Sequence, residues 1–343
     1  MNLRKILLRT LLLSLLLGGL GILGAYNYLQ YYLDKPLALQ TEQLIEVRPG
    51  SSLGQVARQL EQGVGLEYPR IFSYWASNEG FDRAIRAGEF IISPGMSPRT
   101  ALQHLISGPY VQYPFTLIEG TTVRSALDAL WRSQKLRITL RESSDQEILA
   151  AIGSDYPSLE GALFPDTYFY TAGTTDQALL SRASNRLREV LEQEWETRAV
   201  SLPYASPYES LILASIIEKE TGLRSEREQV AGVFVRRLQR GMRLQSDPTV
   251  IYGMGESYTG NIRRVDLETS TPYNTYRING LPPTPIAMTG RGAIHASLHP
   301  SDEPYLYFVA TGDGGHQFST TLDEHNAAVR QYQNRMATQQ STN

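Results

Sequence analysis

Residues 208–222 read YESLILASIIEKETG, and this stretch predicts a short helix around which the rest of the chain can be arranged. Leu213, Ile216 and Ile217 have the spacing that places side chains on one face of a helix. Glu220 continues this apolar face. The stretch therefore predicts a helix whose buried face ends in a carboxyl group.

The residues after this helix predict a tight corner and a second helix. Gly222 is a typical helix stop, and the SERE sequence at 225–228 is typical of a capping box. The apolar positions of the second helix are Val230, Val233, Phe234 and Leu238, and Gly241 follows them. We therefore expect two packed helices joined by only a few residues.

Glu218 and Glu220 cannot share one helix face, because residues two apart lie about 200° apart around the axis. We predict that Glu220 is on the main apolar face. Burial would raise the pKa of its carboxyl group, which could then hold a proton near neutral pH, as a general acid must. The pattern leaves two other roles open for Glu220, namely exposure to solvent or a buried ion pair with Arg227, Arg236 or Arg237.

Three segments further along the chain carry polar and aromatic side chains. They are the MRLQSDPTVIYG run at 242–253, where we expect a short strand, the TPYNTY run at 271–276 and the turn at 280–286. Tyrosine rings stack on pyranose faces, and amide groups hydrogen-bond to sugar hydroxyls. The aromatics could instead pack on the proline-rich turns, and the pattern leaves both roles open.

The N-terminus carries an apolar segment that is long enough to cross a bilayer. Every residue from Thr10 to Ala25 is apolar, small or hydroxylic, and the ILL run at 6–8 with Tyr26 and Tyr28 extends this segment toward the roughly 20 residues that a bilayer needs. Three basic residues precede Thr10, and four tyrosines follow Ala25. We predict a cytoplasmic N-terminus over 1–9, a single membrane helix over 10–30, and a periplasmic body held at the inner membrane. A cleaved signal peptide is disfavoured, since Leu23 is not the small residue that cleavage at Ala25 would need.

A spacer over 31–43 leads into a small module over 44–110. Its pattern predicts a strand, two helices, a second strand and a third helix. The strand, Pro-Gly turn and helix at its start, and the GEFIISP run at its end, resemble a LysM-type carbohydrate-binding module. An ordinary α/β subdomain is the alternative.

The remaining segments predict a mixed fold. A strand, turn and helix recur over 116–130, and residues 141–205 are polar and helical in pieces. The aromatic segment at 160–168 could line a groove or pack a loop. Residues 305–318 predict a hairpin, and the polar residues 337–343 predict a disordered tail. We therefore expect an α+β fold whose main domain, over 114–336, mixes helices with antiparallel sheet.

Composition excludes several classes of function. The 343 residues include no cysteine, which excludes a disulfide scaffold, thiolate-bound metal and a cysteine nucleophile, and the net charge of −3 gives no basic surface for nucleic acid. His295 and His299 have the spacing of metal ligands on a helix, but no glutamate follows the first, and Pro300 ends the helix. We expect neither a metal nor a cofactor.

Five runs of sequence resemble the YceG-like family. They are ASIIEKET at 214–221, GMRLQSDPTVIYG at 241–253, YNTY at 273–276, GLPP at 280–283 and YLYFVA at 305–310. The resemblance implies an endolytic peptidoglycan lyase that cuts the β-1,4 bond between N-acetylmuramic acid and N-acetylglucosamine without water. The product would carry a 1,6-anhydro end, and the cut would terminate elongation of nascent glycan strands.

The resemblance also assigns roles to residues. The second glutamate of the Glu-Lys-Glu run would be the catalytic one, which is Glu220 here. Substrate-positioning candidates are Gln245, Ser246, Asp247, Tyr273 and Asn274. Ser246 replaces a threonine of a relative and keeps the hydroxyl, whereas the Thr-Pro pair at 284–285 departs from the family with a consequence that the sequence does not define.

One carboxyl group is enough for this chemistry, because the C6 hydroxyl of the substrate attacks the anomeric carbon itself. Glycoside hydrolases normally need two carboxylates. Two other functions stay open: a hydrolase with Asp247 as the second carboxylate, and a membrane-anchored scaffold that binds glycan without cutting it. The expected partners are glycan strands, the membrane and a peptidoglycan synthase.

Overall fold

The computed structural model describes residues 3–342, with side chains through residue 335. Residues 1 and 2, at the start of the predicted cytoplasmic segment, and Asn343, at the end of the predicted tail, lie outside the described residues. The chain divides into two compact units, one that ends at Tyr113 and one that begins at Pro114.

The first unit begins with a long apolar helix, α1, over Leu3–Asp34. Among the described helices, α1 has the length and composition to cross a membrane. Its most apolar stretch is not buried against the rest of the chain. Only its last turn joins the core of the unit, where Tyr32 and Leu33 are buried. Arg99 donates hydrogen bonds to Asp34 and Gln30 and fixes this end of the helix.

The rest of the first unit has the predicted order of elements. It contains β1 (Gln43–Val47), α2 (Leu53–Val64), α3 (Pro69–Asn78), β2 (Gly88–Ile92) and α4 (Pro98–Ser107). The two strands pair antiparallel, with Gln43 opposite Ile92 and Val47 opposite Gly88. Ser52 caps α2 with a capping box, and Gly65 ends it in the left-handed conformation, at φ 70°.

The second unit is mainly helical, with two further small sheets. Its helices are α5 (Val123–Leu130), α6 (Asp145–Ile152), α7 (Asp176–Glu196), α8 (Pro207–Glu220), α9 (Arg227–Gln239), α10 (Asp247–Met254), α11 (Arg264–Glu268), α12 (Arg291–Leu298) and α13 (Leu322–Thr342). Its strands are β3 (Tyr113–Thr116), which pairs with β4 (Thr167–Tyr170), and β5 (Tyr307–Ala310), which forms the predicted antiparallel hairpin with β6 (His316–Ser319). The fold is therefore mixed, with helices dominating small sheets.

Helix α8 lies at the centre of the second unit and packs against α7, α9, α10 and α12. Every residue over 210–217 is buried, so the helix lacks the single apolar face that its spacing predicted. The core around it includes Ile216 and Ile217 from α8, Phe234 from α9 and Ile294 from α12. Phe164, from the aromatic segment at 160–168, packs into this core, which favours the loop-packing role for that segment.

Two local predictions were wrong. Helix α9 begins at Arg227 after a 3₁₀ turn over Arg224–Glu226, so the expected capping box at 225–228 does not form. Residues 242–246 form no strand and lead directly into α10, whose Pro248 lies in the first turn, where proline is tolerated. The backbone over 337–342 continues α13, and the disorder expected of residues 337–343 stays a prediction.

Candidate active site

Glu220 is the last residue of α8, and its carboxyl group lies in a cavity of about 330 Å³. Ser246 donates a hydrogen bond from Oγ to Oε1 of Glu220 at 2.5 Å. Thr221, the next residue, leaves the helix with extended backbone. The helix end thus places one carboxyl group against open space, with the Ser246 hydroxyl as its one side-chain hydrogen-bond donor among the described residues.

The surroundings of Glu220 raise the pKa of its carboxyl group to about 7. Burial is the main cause, and the negative charge of Asp247 adds to it. The hydrogen bond from Ser246 and the charges of His316 and Arg237 act in the opposite direction but do not cancel the effect of burial. Glu220 can therefore carry a proton and release it near neutral pH.

The segment that carries Ser246 is fixed by buried backbone contacts. The backbone amide of Ser246 donates to Oγ1 of Thr275 at 2.9 Å, and the amide of Gln245 donates to the carbonyl of Thr275 at 3.2 Å. Thr249 hydrogen-bonds to Thr275 at 2.8 Å. Gln245 has a φ of 53°, a conformation rare for side chains other than glycine, and it lines the cavity.

Asp247 lines the same cavity and accepts a hydrogen bond from the hydroxyl of Tyr276 at 2.6 Å. Asp247 is the first residue of α10, where the helix dipole favours a negative charge. Burial and the nearby Asp247 carboxylate raise the pKa of Tyr276, so its hydroxyl keeps its proton. Tyr276 thus orients a carboxylate close to Glu220.

Tyr273 and Asn274 contribute to this site through the loop that carries Tyr276. Asn274 is 1% exposed, and its amide donates to the carbonyls of Asp266, Leu267 and Thr269. Its Oδ1 accepts from the amide of Tyr276 at 3.0 Å.

The ring of Tyr273 packs edge-on against Tyr252, with centroids 4.8 Å apart, and its hydroxyl bonds to Thr284 at 2.8 Å. Neither Tyr273 nor Asn274 is among the residues that line the cavity around Glu220. The structure therefore brings Glu220, Gln245, Ser246 and Asp247 together. Tyr273 and Asn274 lie outside the lining of the cavity.

Several cavity residues come from segments that are far apart in the sequence. They are Arg237, Leu244, Tyr276, Tyr307, Phe308, Leu322 and His325. Arg237 is buried, donates to the carbonyls of Leu306 and Leu244, and lies 5.2 Å from the ring of Tyr307. The ring of His325 stacks on the ring of Tyr307, with centroids 5.2 Å apart.

Glu218 is also buried, but its carboxyl group is fully engaged. Its Oε1 accepts from Nη2 of Arg227 at 2.7 Å, and its Oε2 accepts from the amide of Gly290 at 3.0 Å. The side chains of Glu218 and Arg227 are 5% and 9% exposed. The buried ion pair considered for Glu220 therefore belongs to Glu218.

The sequence model of the YceG-like family matches residues 45–331. The chain belongs to the YceG-like family. It is 30% identical over 310 residues to a Bacillus subtilis (strain 168) protein named endolytic murein transglycosylase, with 84% of each chain covered. A protein of the same name from Streptococcus pneumoniae serotype 2 is 26% identical over 349 residues, covering 91% of this chain and 63% of the relative's length.

A 2.6 Å crystal structure of a yceG-like protein from Listeria monocytogenes shares this architecture. The two structures superpose with a TM-score of 0.52 at 29% sequence identity, and the match covers 83% of this chain and 98% of the other. The resemblance to the YceG-like family seen in the sequence is confirmed.

In this YceG-like chain, a hydrogen-bonded histidine and glutamate, His316 and Glu226, lie beside the site. His316, at the start of β6, bonds through Nδ1 to Oε2 of Glu226 at 2.8 Å, and its amide donates to Oε1 of the same residue at 3.0 Å. The ring of His316 is edge-on to Phe308, which lines the cavity. Glu226 thus anchors the hairpin to the turn after α8 instead of capping α9.

His295 of α12 and His299, the residue that follows this helix, gain a third neighbour that the sequence did not reveal. Glu194 of α7 lies with His295 and His299 so that one possible ligand atom from each falls within 4.8 Å of the others. Its carboxylate already accepts from Arg291 at 2.6 Å and contacts Nδ1 of His295 at 2.7 Å. The lack of a metal site therefore stays a prediction, although a third potential ligand is present.

Proposed function

We propose that this chain is a membrane-anchored endolytic murein transglycosylase, the name that its Bacillus and Streptococcus relatives carry. The observation that supports this proposal best is Glu220, whose carboxyl group has a pKa of about 7 in a polar and aromatic cavity. Such a group is half protonated near neutral pH and can act first as an acid and then as a base.

The reaction needs two proton movements and no water. Protonated Glu220 gives its proton to the glycosidic oxygen as the bond from the anomeric carbon of N-acetylmuramic acid to that oxygen breaks. The C6 hydroxyl of the same sugar forms the new bond to the anomeric carbon and gives its proton to the Glu220 carboxylate. The products are a free 4-hydroxyl and a 1,6-anhydro end, and the enzyme regains its starting protonation state.

Ser246 and Asp247 tune this carboxyl group in opposite directions. The Ser246 hydroxyl donates to the ionised form and lowers the pKa, whereas the Asp247 charge disfavours that form and raises it. We assign Gln245 and Asp247 to contacts with substrate, and Tyr276 to the orientation of Asp247. Tyr273 and Asn274 are positioning residues that support the loop beneath Tyr276.

Features outside the cavity support an anchored enzyme that acts on glycan. We assign residues 1–9 to the cytoplasm, 10–30 to a single span of the inner membrane, and the second unit to the periplasm. The strand and helix order over 44–110 supports a LysM-like module that binds glycan. A peptidoglycan synthase is the expected partner.

Mass spectrometry of digested glycan tests this proposal. The full chain in proteoliposomes is given un-crosslinked glycan strands, and we expect products with 1,6-anhydro ends, lost entirely in Glu220→Gln. A matched control, Glu192→Gln, changes an exposed glutamate of α7 and should keep full activity. Reducing ends would instead indicate the hydrolase with Asp247 as second carboxylate, and intact strands with bound protein would indicate the scaffold.

A further inference from the structure

An exposed apolar stripe lies on α3 of the first unit. It consists of Tyr68, Ile71 and Tyr74, whose surfaces are 49%, 45% and 77% exposed, and we call it the α3 stripe. Ile71 and Tyr74 are three residues apart and share a helix face, while Phe72 and Trp75 face the core. Contiguous apolar surface of this kind on a folded protein usually marks an interaction site.

Contacts of Tyr68 join the stripe to the end of α1. Its ring lies edge-on to that of Tyr32 with centroids 5.6 Å apart, and its side chain interacts with the hydroxyl of Tyr28. Tyr32 also donates to the backbone oxygen of Glu67, and Lys35 forms an ion pair with the Glu67 side chain at 3.3 Å. The stripe is therefore held at a fixed height along α1.

That height corresponds to the headgroup layer of a bilayer spanned by α1. With the membrane span assigned to residues 10–30, at a rise of about 1.5 Å per residue Tyr28 lies ~3 Å inside the end of the span and Tyr32 ~3 Å beyond it. The polar layer on each side of the hydrocarbon core is roughly 5–8 Å thick. Tyr68, which contacts both tyrosines, thus lies where aromatic residues are enriched in membrane proteins.

We infer that the α3 stripe inserts into the phospholipid interface beside α1, so that the first unit rests on the outer surface of the membrane. This inference rests on the proposed role of α1 as a membrane anchor. Continuity supports it, because the exposed apolar surface runs from α1 through Tyr28 and Tyr68 to Ile71 and Tyr74. Arg70 is exposed on α3 and can face lipid phosphates.

A glycan strand could also stack on tyrosine rings. Glycan binding, however, does not explain why an aliphatic side chain, Ile71, is exposed between the two tyrosines, nor why Tyr68 packs against the end of the membrane helix. Interfacial insertion accounts for both observations, because aliphatic and aromatic side chains together provide favourable burial at a bilayer surface.

Spin labelling of single cysteines tests the inference cleanly, since the natural chain has no cysteine. Nitroxides are placed on the full chain by Ile71→Cys, Tyr74→Cys, Leu16→Cys and Arg48→Cys, and the proteins are reconstituted in vesicles of phosphatidylethanolamine and phosphatidylglycerol. Leu16 reports on the anchor, and Arg48 is an exposed polar position of the same unit. Collision with oxygen and with a water-soluble nickel complex is then measured for each label.

We expect the labels at 71 and 74 to lose most of their access to the nickel complex on reconstitution, the label at 16 to lose all of it, and the label at 48 to keep it. Full nickel access at 71 and 74 with a shielded Leu16 label would overturn the inference and leave the anchor intact. An exposed Leu16 label would overturn the anchor itself. Shielding at 71 and 74 that appears only when glycan strands are added would overturn the inference in favour of a glycan-binding face.

Discussion

Glu218 and Glu220 lie two residues apart on α8, yet Glu218 is paired with Arg227 whereas Glu220 lines a cavity. Glu218 accepts from the guanidinium of Arg227 and the amide of Gly290, whereas Glu220 accepts, within the part of the chain that the structure describes, only from the hydroxyl of Ser246. Burial raises the pKa of both carboxyl groups; the Arg227 charge opposes that rise at Glu218, and the charges of His316 and Arg237 oppose it at Glu220. The same helix turn thus supplies both a structural ion pair and a candidate acid.

The first prediction separates these two roles by their effect on stability. Glu218→Gln should reduce the free energy of unfolding by about 3–5 kcal/mol, because it leaves the guanidinium of Arg227 buried without its counter-charge. Urea denaturation of the full chain in detergent, followed by circular dichroism, measures this change.

The matched comparison is Glu218→Gln combined with Arg227→Met. Removing both charges should recover part of the lost stability, since a buried ion pair can often be replaced by apolar packing at little cost. If the single substitution were as stable as the natural chain, the Glu218 and Arg227 contact would have no structural role.

The second prediction concerns the pH dependence of stability at Glu220. The pKa of Glu220 is about 7 in the folded chain against 4.5 for an ordinary glutamate, so between these values the folded chain binds a proton that the unfolded chain has released. Stability from this group is therefore complete below pH 4.5 and is lost as the pH rises through 7.

Glu220→Gln cannot ionise and should avoid this loss. Since each pKa unit corresponds to ~1.4 kcal/mol, the variant should exceed the natural chain by about 1–3 kcal/mol at pH 8 and by much less at pH 5. Thermal unfolding at the two pH values measures the difference. An equal difference at both would mean that Glu220 titrates normally in the folded chain.

A third prediction uses the hydroxyl of Ser246. Because its hydrogen bond favours ionised Glu220, Ser246→Ala should raise the pKa of Glu220 further, by roughly one unit for a hydrogen bond to a charged group. The alkaline side of the pH-rate profile should then move to higher pH. Ser246→Thr keeps the hydroxyl and should leave the profile in place, and a shift in both variants would point to altered packing instead.

Sequence reasoning succeeded where the signal is local. Spacing and turn residues were sufficient for the order of elements from β1 to α4, for α8 and for the hairpin of β5 and β6. Helix spacing also made Glu220 the candidate acid, and that role stays a prediction, since α8 proved to be buried on all sides over 210–217 and Glu218 is buried with it. A single-helix pattern cannot show what packs on the opposite face.

The rest of the site depends on contacts between distant segments. Arg237, Tyr276 and His325 come from α9, a loop and α13, and only the tertiary fold brings them to Glu220. The expected strand before Asp247 failed because Gln245 adopts a positive φ and Pro248 starts α10. Asn274 has the amide group expected of a sugar-binding residue, but its amide nitrogen donates to three backbone carbonyls instead.

The last prediction concerns Asp247, whose charge raises the pKa of Glu220. Asp247→Asn should lower that pKa and move the alkaline side of the pH-rate profile to lower pH, in the direction opposite to Ser246→Ala. Tyr276→Phe keeps the charge but removes the donor that orients it. We therefore expect a fall in kcat/KM of about tenfold, typical of one lost hydrogen bond, with little movement of the profile.

In both variants the products should keep their 1,6-anhydro ends, because the attacking hydroxyl comes from the sugar and needs no second carboxylate. Mass spectrometry of the glycan ends, recorded alongside the rates, tests this point. If Asp247→Asn abolished all cleavage while the natural chain released reducing ends, Asp247 would be activating a water molecule. The one-carboxyl mechanism would then have to give way to hydrolysis by the pair Glu220 and Asp247.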